Sequence, residues 1–272
     1  MSPSDTPPSD AAGSATSAFL EEAVSVFRPG LFAGSVVLVS GATSGIGLEI
    51  ARGFRRLGAE VLATGSSPTK LAALTAQDQD GIRFARLDVR DEAQIRDVLD
   101  TLPRLDVLVN AAGVARPGAE WEGDTFDDVI GVNLSSVMHM SRLAKPMLAA
   151  TRGSIVNIAS MLSFLADADV PAYCASKTGL LGLTRALAHG WGPDGIRVNA
   201  IAPGYHETDM TRPLWSQPHN RAVIQEQSAL KRWGRTADLV GATLFLASPA
   251  AGFVTGTCLA VDGGYSVKAV VG

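Results

Sequence analysis

The chain has 272 residues, of which 46% are hydrophobic and 18% charged, and its formal net charge at pH 7 is -4. This composition supports a sizeable buried core and excludes wholesale disorder or a coiled coil. The slight acidity argues against a nucleic-acid partner, and apolar runs of only strand length argue against a membrane span. The two cysteines, Cys174 and Cys258, build no disulfide framework, which favours a reducing cytoplasm.

The first residues differ in composition from the rest of the chain. Residues 1–18 are rich in Ser, Pro, Ala and Thr, which predicts a disordered tail. They lack the basic start and apolar middle of a secretory signal. Apolar residues at helical spacing follow, so residues 19–30 are expected to form a short helix and a linker. Residues 31–272 are expected to form one domain.

Seven apolar segments alternate with helical ones after residue 35: VVLV, AEVLATG, IRFARLDV, LDVLVN, GSIVNIAS, RVNAIAPG and TCLAVDGG. Nearly continuous apolar strands between helices predict a parallel sheet that is covered on both faces. Helices are expected from Ile46 to Leu57, near Lys70 to Ala76, and after Asp91, which can cap a helix that ends near Leu102. Right-handed crossovers favour a doubly wound order. The predicted fold class is therefore α/β, a single doubly wound domain with seven parallel strands and helices on both faces.

A glycine-rich turn follows the first strand. Gly41, Gly45 and Gly47 have the spacing GxxxGxG, which differs from the GxGxxG of the commonest dinucleotide fingerprint. Glycines at this place let the backbone approach a pyrophosphate, and the helix N-terminus favours that anion. The turn alone also fits a structural role, but its position directly after the first strand favours nucleotide binding.

Tyr173 and Lys177 lie four residues apart, on one face of a predicted helix. A nearby ammonium favours the phenolate, so the pKa of Tyr173 is expected to fall toward working pH. Such a phenol is a usable general acid or base for an alcohol or carbonyl. The pair alone is common on solvated helix faces. Ser160, however, ends the strand IVNIAS at the sheet edge where open α/β proteins bind ligands, which favours a catalytic role.

Together these motifs resemble those of the short-chain dehydrogenase/reductase family. The resemblance spans about residues 33–267 and follows the family's order, with the glycine-rich turn, Asn110-Ala111-Ala112-Gly113, Asn133, Ser160, Tyr173, Lys177 and Pro203-Gly204. It implies a Rossmann-type fold and an oxidoreductase that transfers a hydride between NAD(P)(H) and a secondary alcohol or ketone. The catalytic set that it implies is Asn133, Ser160, Tyr173 and Lys177.

The resemblance also implies individual roles. Tyr173 exchanges the proton with the substrate oxygen, and Ser160 orients that oxygen. Lys177 lowers the pKa of Tyr173 and holds the nicotinamide ribose, while Asn133 holds a water that connects Lys177 to solvent. No metal is expected, because the four histidines show no ligand spacing. The implied cofactor-binding residues are Gly41, Ser44, Gly45, Ile46, Gly47, Gly65, Ser66, Ser67, Asp88, Val89, Asn110, Ala111, Gly113, Tyr173, Lys177, Pro203, Gly204 and Thr208.

The choice between NAD and NADP depends on the residue after the second strand. NAD-preferring members of the family usually carry Asp there, whereas this chain has Gly65, followed by Ser66 and Ser67. No carboxylate repels a 2′-phosphate, and the serines with Lys70 can accept one. Ser44, however, stands where NADP-preferring members often carry a basic residue. NADP is slightly favoured, and NAD stays open.

Residues from about 205 to 235 fall where the family places its variable substrate lobe. His206 is either a substrate contact or a surface-loop residue. The final segment resembles branches that oxidise sugar acids such as gluconate derivatives and branches that reduce 3-oxoacyl thioesters, so both substrates stay open. Four basic residues either form a rim for an acyl-carrier partner or are solvated surface charges: Arg221, Lys231, Arg232 and Arg235.

Two other activities are compatible with the fold. A nucleotide-binding sensor without catalysis is disfavoured because it has no need for the four catalytic residues. A dehydratase or epimerase that retains its nucleotide stays open. The resemblance further implies a cytoplasmic homotetramer that acts on a small molecule, with no membrane or nucleic-acid partner. Its interface is expected to use apolar residues of one long helix: Val137, Met138, Met140 and Leu143.

Overall fold

The structure is a computed structural model that describes residues 10–76 and 81–267. Its strands are β1 Val36–Ser40, β2 Glu60–Gly65, β3 Arg83–Arg86, β4 Val107–Asn110, β5 Ser154–Ile158, β6 Arg197–Pro203 and β7 Cys258–Val261. They form one parallel sheet in the order β3-β2-β1-β4-β5-β6-β7. The predicted α/β class with seven parallel strands is confirmed.

The helices follow the strands as the sequence pattern predicts. They are α1 Asp10–Ser25, α2 Gly45–Arg56, α3 Pro68–Ala76, α4 Glu92–Asp100, α5 Gly123–Ile130, α6 Ser136–Thr151, α7 Pro171–Trp191, α8 Arg212–Trp215, α9 Pro218–Gln227 and α10 Val240–Ala247. Asp91 caps α4 as expected, since its side chain accepts hydrogen bonds from the backbone N–H groups of Ala93 and Gln94. None of the described helices is long and apolar enough to cross a membrane.

The sheet is buried on both faces. Alternate residues of a strand point to opposite sides, so Val37 and Val39 pack into one layer and Val36 and Leu38 into the other. Helices α2 and α10 cover the first face, and α4, α6 and α7 cover the second. The long helix α6 buries Met140 in the second layer and Val137 in a separate cluster with Leu180, with 1% and 3% exposure. These two residues therefore do not offer the apolar surface predicted for them, and an interface that uses Met138 and Leu143 stays a prediction.

The N-terminal helix begins earlier than expected. Residues 10–18 belong to α1, although the composition predicted a disordered tail over 1–18; residues 1–9 lie outside the described part of the chain. Leu20 and Val24 anchor the helix, because both are buried against the face formed by α2 and α10. Alanines with high helix propensity then extend it toward its start: Ala11, Ala12, Ala15 and Ala18.

The strand order reverses at β1, whose neighbours are β2 on one side and β4 on the other. The connection after β1 runs toward β2 and β3, and the chain then returns to place β4 on the opposite side. This reversal opens a crevice beyond the carboxyl ends of β1 and β4, which is the usual ligand site of open parallel sheets.

Candidate active site

The glycine-rich turn lies at this crevice, and its glycines are required by close packing. Gly41 has a φ of +71° and Gly45 a φ of +55°, both in the left-handed region. A Cβ on Gly41 would lie 2.5 Å from the backbone nitrogen of Ala112, and one on Gly47 would lie 2.4 Å from the Gly41 carbonyl oxygen. Ser44, the residue before α2, makes no side-chain capping bond to that helix. The arrangement fits a phosphate held at the start of α2.

A groove of about 370 Å³ runs along the crevice. Most of the predicted cofactor residues line it, namely Gly41, Ser44, Gly45, Ile46, Gly47, Gly65, Ser66, Asp88, Val89, Ala111, Gly113 and Thr208. The others do not appear on its wall: Ser67, Asn110, Tyr173, Lys177, Pro203 and Gly204. The sequence motifs therefore come together at one groove, but some of their residues do not line it.

Asn110 shows why. Its side chain is buried, and its amide donates to Asn157 Oδ1 at 2.9 Å and Ser141 Oγ at 3.3 Å. It thus joins β4 to β5 inside the domain. Gly204 likewise has a structural role, because it lets the backbone near Asp262 pack closely: a Cβ on Gly204 would lie 2.7 Å from the Cα of Asp262.

The edge of the groove carries an ion-pair network that the sequence did not reveal. Arg90 donates to both carboxylate oxygens of Asp88, at 3.0 and 2.7 Å, and to Asp128 at 2.7 Å. The hydrogen bond from Arg90 holds the pKa of Asp88 below its ordinary value, against the opposing effect of partial burial. Asp88, one of the implied cofactor-binding residues, is therefore an ionised carboxylate that Arg90 holds in place.

The four predicted catalytic residues meet at the carboxyl end of β5. Ser160 follows that strand, and its hydroxyl accepts a hydrogen bond from the Leu162 backbone N–H at 3.1 Å. Lys177 comes from α7, and its Nζ donates to the Ile158 carbonyl oxygen at 2.7 Å. A Cβ built on Gly113 would lie 3.5 Å from both Lys177 Nζ and Asn133 Oδ1, so these groups surround the same point.

Asn133 lies in a π-helical turn over residues 131–135, a distortion that is frequent at functional sites. Its side chain is fully buried. Its Oδ1 accepts from the Val114 backbone N–H at 2.8 Å, and its Nδ2 donates to the Val114 carbonyl at 2.9 Å and to Ser176 Oγ at 3.2 Å. Its observed role is to hold the segment after β4; the water relay stays a prediction.

Burial dominates the electrostatics of Tyr173 and Lys177. It raises the pKa of Tyr173, while a hydrogen bond with Ser160 lowers it and the charges of Cys174 and Glu120 raise it further. Burial also lowers the pKa of Lys177 to about 8. The ammonium lies 5.5 Å from the centre of the tyrosine ring. The expected net lowering of the tyrosine pKa is therefore not what this structure shows, because desolvation outweighs the hydrogen bond with Ser160.

Three residues that support the site were missed. Ser163 Oγ donates to the Lys177 carbonyl at 2.7 Å, Ser176 Oγ donates to the Tyr173 carbonyl at 2.8 Å, and Glu120 accepts from the Tyr173 N–H at 2.8 Å. Ser176 stands next to Lys177 in sequence, which is a usable signal. Nothing in the sequence connects Glu120 with Tyr173, because 53 residues separate them.

In the substrate lobe, His206 is buried and does not lie on the surface of a loop. Its ring is 3% exposed, and Nδ1 lies 3.0 Å from the Gly204 carbonyl oxygen. Burial lowers its pKa. The interpretation as a surface-loop histidine is therefore wrong, because the chain near Gly234 folds back over the ring: a Cβ on that glycine would lie 2.5 Å from it.

The basic residues of the lobe have partners. Arg221 pairs with Glu207 at 2.5 Å, Lys231 with Glu226 at 2.7 Å and Arg232 with Asp238 at 2.6 Å. Arg235 stacks its guanidinium 3.5 Å from the ring centre of Phe19. Among the described residues, no group of three His, Cys, Asp or Glu side chains is placed to hold a metal ion.

Comparisons with known proteins agree with this geometry. A family model described as enoyl-(acyl carrier protein) reductase matches residues 41–266. Gluconate 5-dehydrogenase of Gluconobacter oxydans is 36% identical over 89% of this chain and 99% of its own length. The 2-dehydro-3-deoxy-D-gluconate 5-dehydrogenase of Escherichia coli is 38% identical over 86% of this chain and 96% of its own.

A solved structure extends the likeness to three dimensions. Gluconate 5-dehydrogenase of Burkholderia cenocepacia, in complex with NADP and tartrate, superposes with a TM-score of 0.82 at 33% identity. The match covers 88% of this chain and 97% of that one. With its seven-stranded parallel sheet and its Ser160, Tyr173 and Lys177 at the end of β5, the chain belongs to the short-chain dehydrogenase/reductase family of NAD(P)-dependent oxidoreductases.

Proposed function

We propose that this protein interconverts a secondary hydroxyl and a ketone on a small polyol or sugar acid, with NADP(H) as its redox partner. The observation that carries the proposal is the meeting of Ser160, Tyr173, Lys177 and Asn133 beside a glycine-rich groove. A protein that only sensed a nucleotide would have no need for a buried proton-transfer group at this place. The named activities of the relatives support the same reaction class.

The groove fits a dinucleotide. The backbone of Gly41 and Gly47 packs too closely for side chains, which lets a pyrophosphate approach the start of α2. When bound, the nicotinamide supplies the two-electron redox chemistry. In oxidation, the Tyr173 phenolate accepts the proton of the substrate hydroxyl, and Ser160 hydrogen-bonds to the same oxygen. In reduction, the Tyr173 hydroxyl returns a proton to the carbonyl oxygen.

Lys177 supports this proton transfer from behind. The bond from Nζ to the Ile158 carbonyl oxygen fixes the lysine at the end of β5, and Ser163 holds its backbone carbonyl. Because the pKa of Lys177 falls to about 8, the group can change protonation near neutral pH. Lys177 is therefore suited to pass a proton between Tyr173 and bulk solvent.

Two features favour NADP over NAD. A Cβ on Gly65 would lie 2.6 Å from Thr43 Cγ2, so the glycine-rich turn itself occupies the space that a ribose-binding aspartate would need. Lys70 of α3 reaches across to the turn, with Nζ 3.2 Å from Ser44 Oγ and, more distantly, 3.5 Å from Asp209 Oδ2. It brings a cation to the place where NADP-preferring members carry one in the turn. These contacts support recognition of a 2′-phosphate by Lys70, Ser44 and Ser66.

A polyol or sugar acid is favoured over an acyl-carrier thioester. The family model's description points to acyl-carrier chemistry, whereas the two relatives act on gluconate derivatives by name. Arg221, Lys231 and Arg232 are each paired with a carboxylate of the same lobe. This pairing removes the basic rim that an acidic carrier would need.

The test is turnover by wild type and by Tyr173→Phe with NADP+ and a panel of gluconate, its 2-keto-3-deoxy derivative and C4 to C6 polyols. The variant is expected to lose at least about a hundredfold in kcat, because it lacks the transferable proton. Calorimetry should show NADPH bound as in wild type. Retained turnover in the variant would refute the assignment of Tyr173. NADPH bound by wild type without net turnover of any alcohol or ketone would favour the epimerase or sensor interpretation.

We also propose a cytoplasmic homotetramer. The free thiols of Cys174 and Cys258 suit a reducing compartment. Phe253 and Leu259, beside and within β7, expose apolar surface that a second copy would cover. Light scattering tests the assembly, with four copies of the 28.3 kDa chain as the expected mass.

A further inference from the structure

A buried carboxylate lies against the start of the catalytic helix α7. Glu120 has no exposed surface, and both of its carboxylate oxygens accept backbone hydrogen bonds. Oε1 accepts from the Arg116 N–H, and Oε2 accepts from the Tyr173 N–H, each at 2.8 Å. Burying a charged group is costly unless such bonds compensate it. The two backbone hydrogen bonds offset the free-energy cost of burying this carboxylate, which indicates that it has a specific role at this position.

Helix α7 has no N-terminal cap of its own. The residue before it is Val170, whose side chain cannot accept a hydrogen bond, and Pro171 begins the helix. Tyr173 is the third residue of α7, where an N-cap side chain usually accepts the backbone N–H. Glu120 supplies that acceptor from a different segment of the chain. A negative charge here also complements the helix dipole.

The segment that carries Glu120 connects the catalytic residues. At one end, Val114 forms two hydrogen bonds with the Asn133 amide. Near the other end, the Gly118 N–H donates to the Asp169 carbonyl at 2.9 Å and the Trp121 indole to the Ala168 carbonyl at 3.2 Å. This segment, residues 114–121, therefore spans from Asn133 to the turn before α7.

The peptide of Tyr173 is held on both sides. Its N–H donates to Glu120, and its carbonyl accepts from Ser176 Oγ, which in turn accepts from Asn133 Nδ2. Glu120 lies in the 114–121 segment and Asn133 is bonded to it at Val114, so the two side chains act on the two ends of the same residue. These hydrogen bonds fix the backbone of Tyr173, and thereby the position of its phenol, without contacting the ring.

We propose that Glu120 is a positioning residue for Tyr173, acting as the N-terminal cap of α7 and as a fixed negative charge at its first turn. This inference rests on the proposed proton-transfer role of Tyr173. Four groups act on the phenol from the elements packed around it. Lys177 and Cys174 belong to α7, Ser160 follows β5, and Glu120 comes from the 114–121 segment. Lys177 and Ser160 belong to the proposed catalytic set, whereas the charge of Glu120 can be removed without changing a group that reacts.

The test is Glu120→Gln, which keeps the size of the side chain but removes its charge and one of its two acceptors. The chain has three tyrosines, so ¹³C-tyrosine NMR can follow Tyr173, assigned by the loss of its signal in Tyr173→Phe. We expect the pKa of Tyr173 to fall by about half a unit to one unit, because a nearby negative charge opposes the phenolate. The pH profile of kcat for oxidation should move to lower pH by the same amount, and kcat should fall more than KM changes.

The matched control is Glu122→Gln. Glu122 is two residues away, exposed, and makes no side-chain capping bond to α5, so its substitution is expected to leave both titrations unchanged. Glu120→Asp provides a second variant, since it keeps the charge but is one methylene shorter. It should keep the tyrosine pKa near that of wild type while kcat falls.

A folded Glu120→Gln variant whose Tyr173 titration and pH profile match those of wild type would overturn the inference. If that variant does not fold, Glu120→Asp decides: unchanged kcat would overturn the positioning role, and a lower kcat at unchanged KM would support it. The NMR titration needs no substrate. It therefore tests Glu120 even if Tyr173→Phe retains turnover and the proposed function fails.

Discussion

Replacing Lys177 with methionine measures the cost of burying its ammonium. The side chain is 4% exposed, and burial lowers its pKa from 10.5 to about 8. Because one pKa unit corresponds to about 1.36 kcal/mol, this shift represents roughly 3 kcal/mol of lost stability at neutral pH. Methionine removes that penalty but leaves the Ile158 carbonyl oxygen without its donor, at a cost of about 1–3 kcal/mol. The variant should therefore be about as stable as wild type at pH 7, although it lacks the hydrogen bond.

The pH dependence separates the two contributions. The folded pKa lies below the unfolded one, so as pH falls from about 10.5 to 8 the unfolded chain binds the proton first and wild type loses stability. Below pH 8 both states are protonated and the penalty is constant. Methionine does not titrate. The free energy of unfolding of the variant, relative to wild type, should therefore fall by about 2–3 kcal/mol between pH 7 and pH 10.

Urea unfolding of both proteins at pH 7, 8, 9 and 10 gives this difference directly. Lys145→Met is the control for loss of a lysine charge, since Lys145 is partly exposed and pairs with Asp194 at 2.9 Å. A difference between Lys177→Met and wild type that stays constant over this range would refute the reasoning, because it would mean that the ammonium is not desolvated in the folded state. Turnover should be lost in Lys177→Met at every pH.

Two further predictions concern the nucleotide end of the groove. Lys70→Ala should weaken NADPH binding by about tenfold to a hundredfold and NADH binding less than about twofold, because a charge-assisted contact to a phosphate is worth about 1.5–3 kcal/mol; equal losses in calorimetric titration would contradict this role. Gly65→Ala should destabilise the protein by about 1–2 kcal/mol, since its Cβ would lie 2.6 Å from Thr43 Cγ2. Adding Thr43→Ala should recover most of that loss in urea unfolding, whereas purely additive effects would argue against the clash.

Much of the fold was predictable because its signals are local. The apolar runs VVLV and LDVLVN are buried on both faces of the sheet, and a strand in that environment needs no polar alternation. Asp91 caps α4 because its acceptor and the N–H groups it binds are two and three residues apart. Tyr173, Lys177 and Ser160 were likewise identifiable, because their motifs occur in a fixed order around the strand end. The start of α1 was misplaced, since the tertiary anchors Leu20 and Val24 stabilise a helix whose first residues resemble a tail.

The sequence by itself determined the α/β class, the place of the glycine-rich turn and which residues form the proposed catalytic set, because these depend on residue type, order and spacing. Tertiary structure alone decided which side chains line the groove and which are buried beneath it or beside it. Asn110 turns inward to Asn157, His206 is covered by the chain near Gly234, and Glu120 caps a helix that begins 51 residues later. Each of these depends on a contact between segments far apart in the chain. Their energy comes from satisfying buried polar groups, a requirement that exists only once folding has removed water from around them.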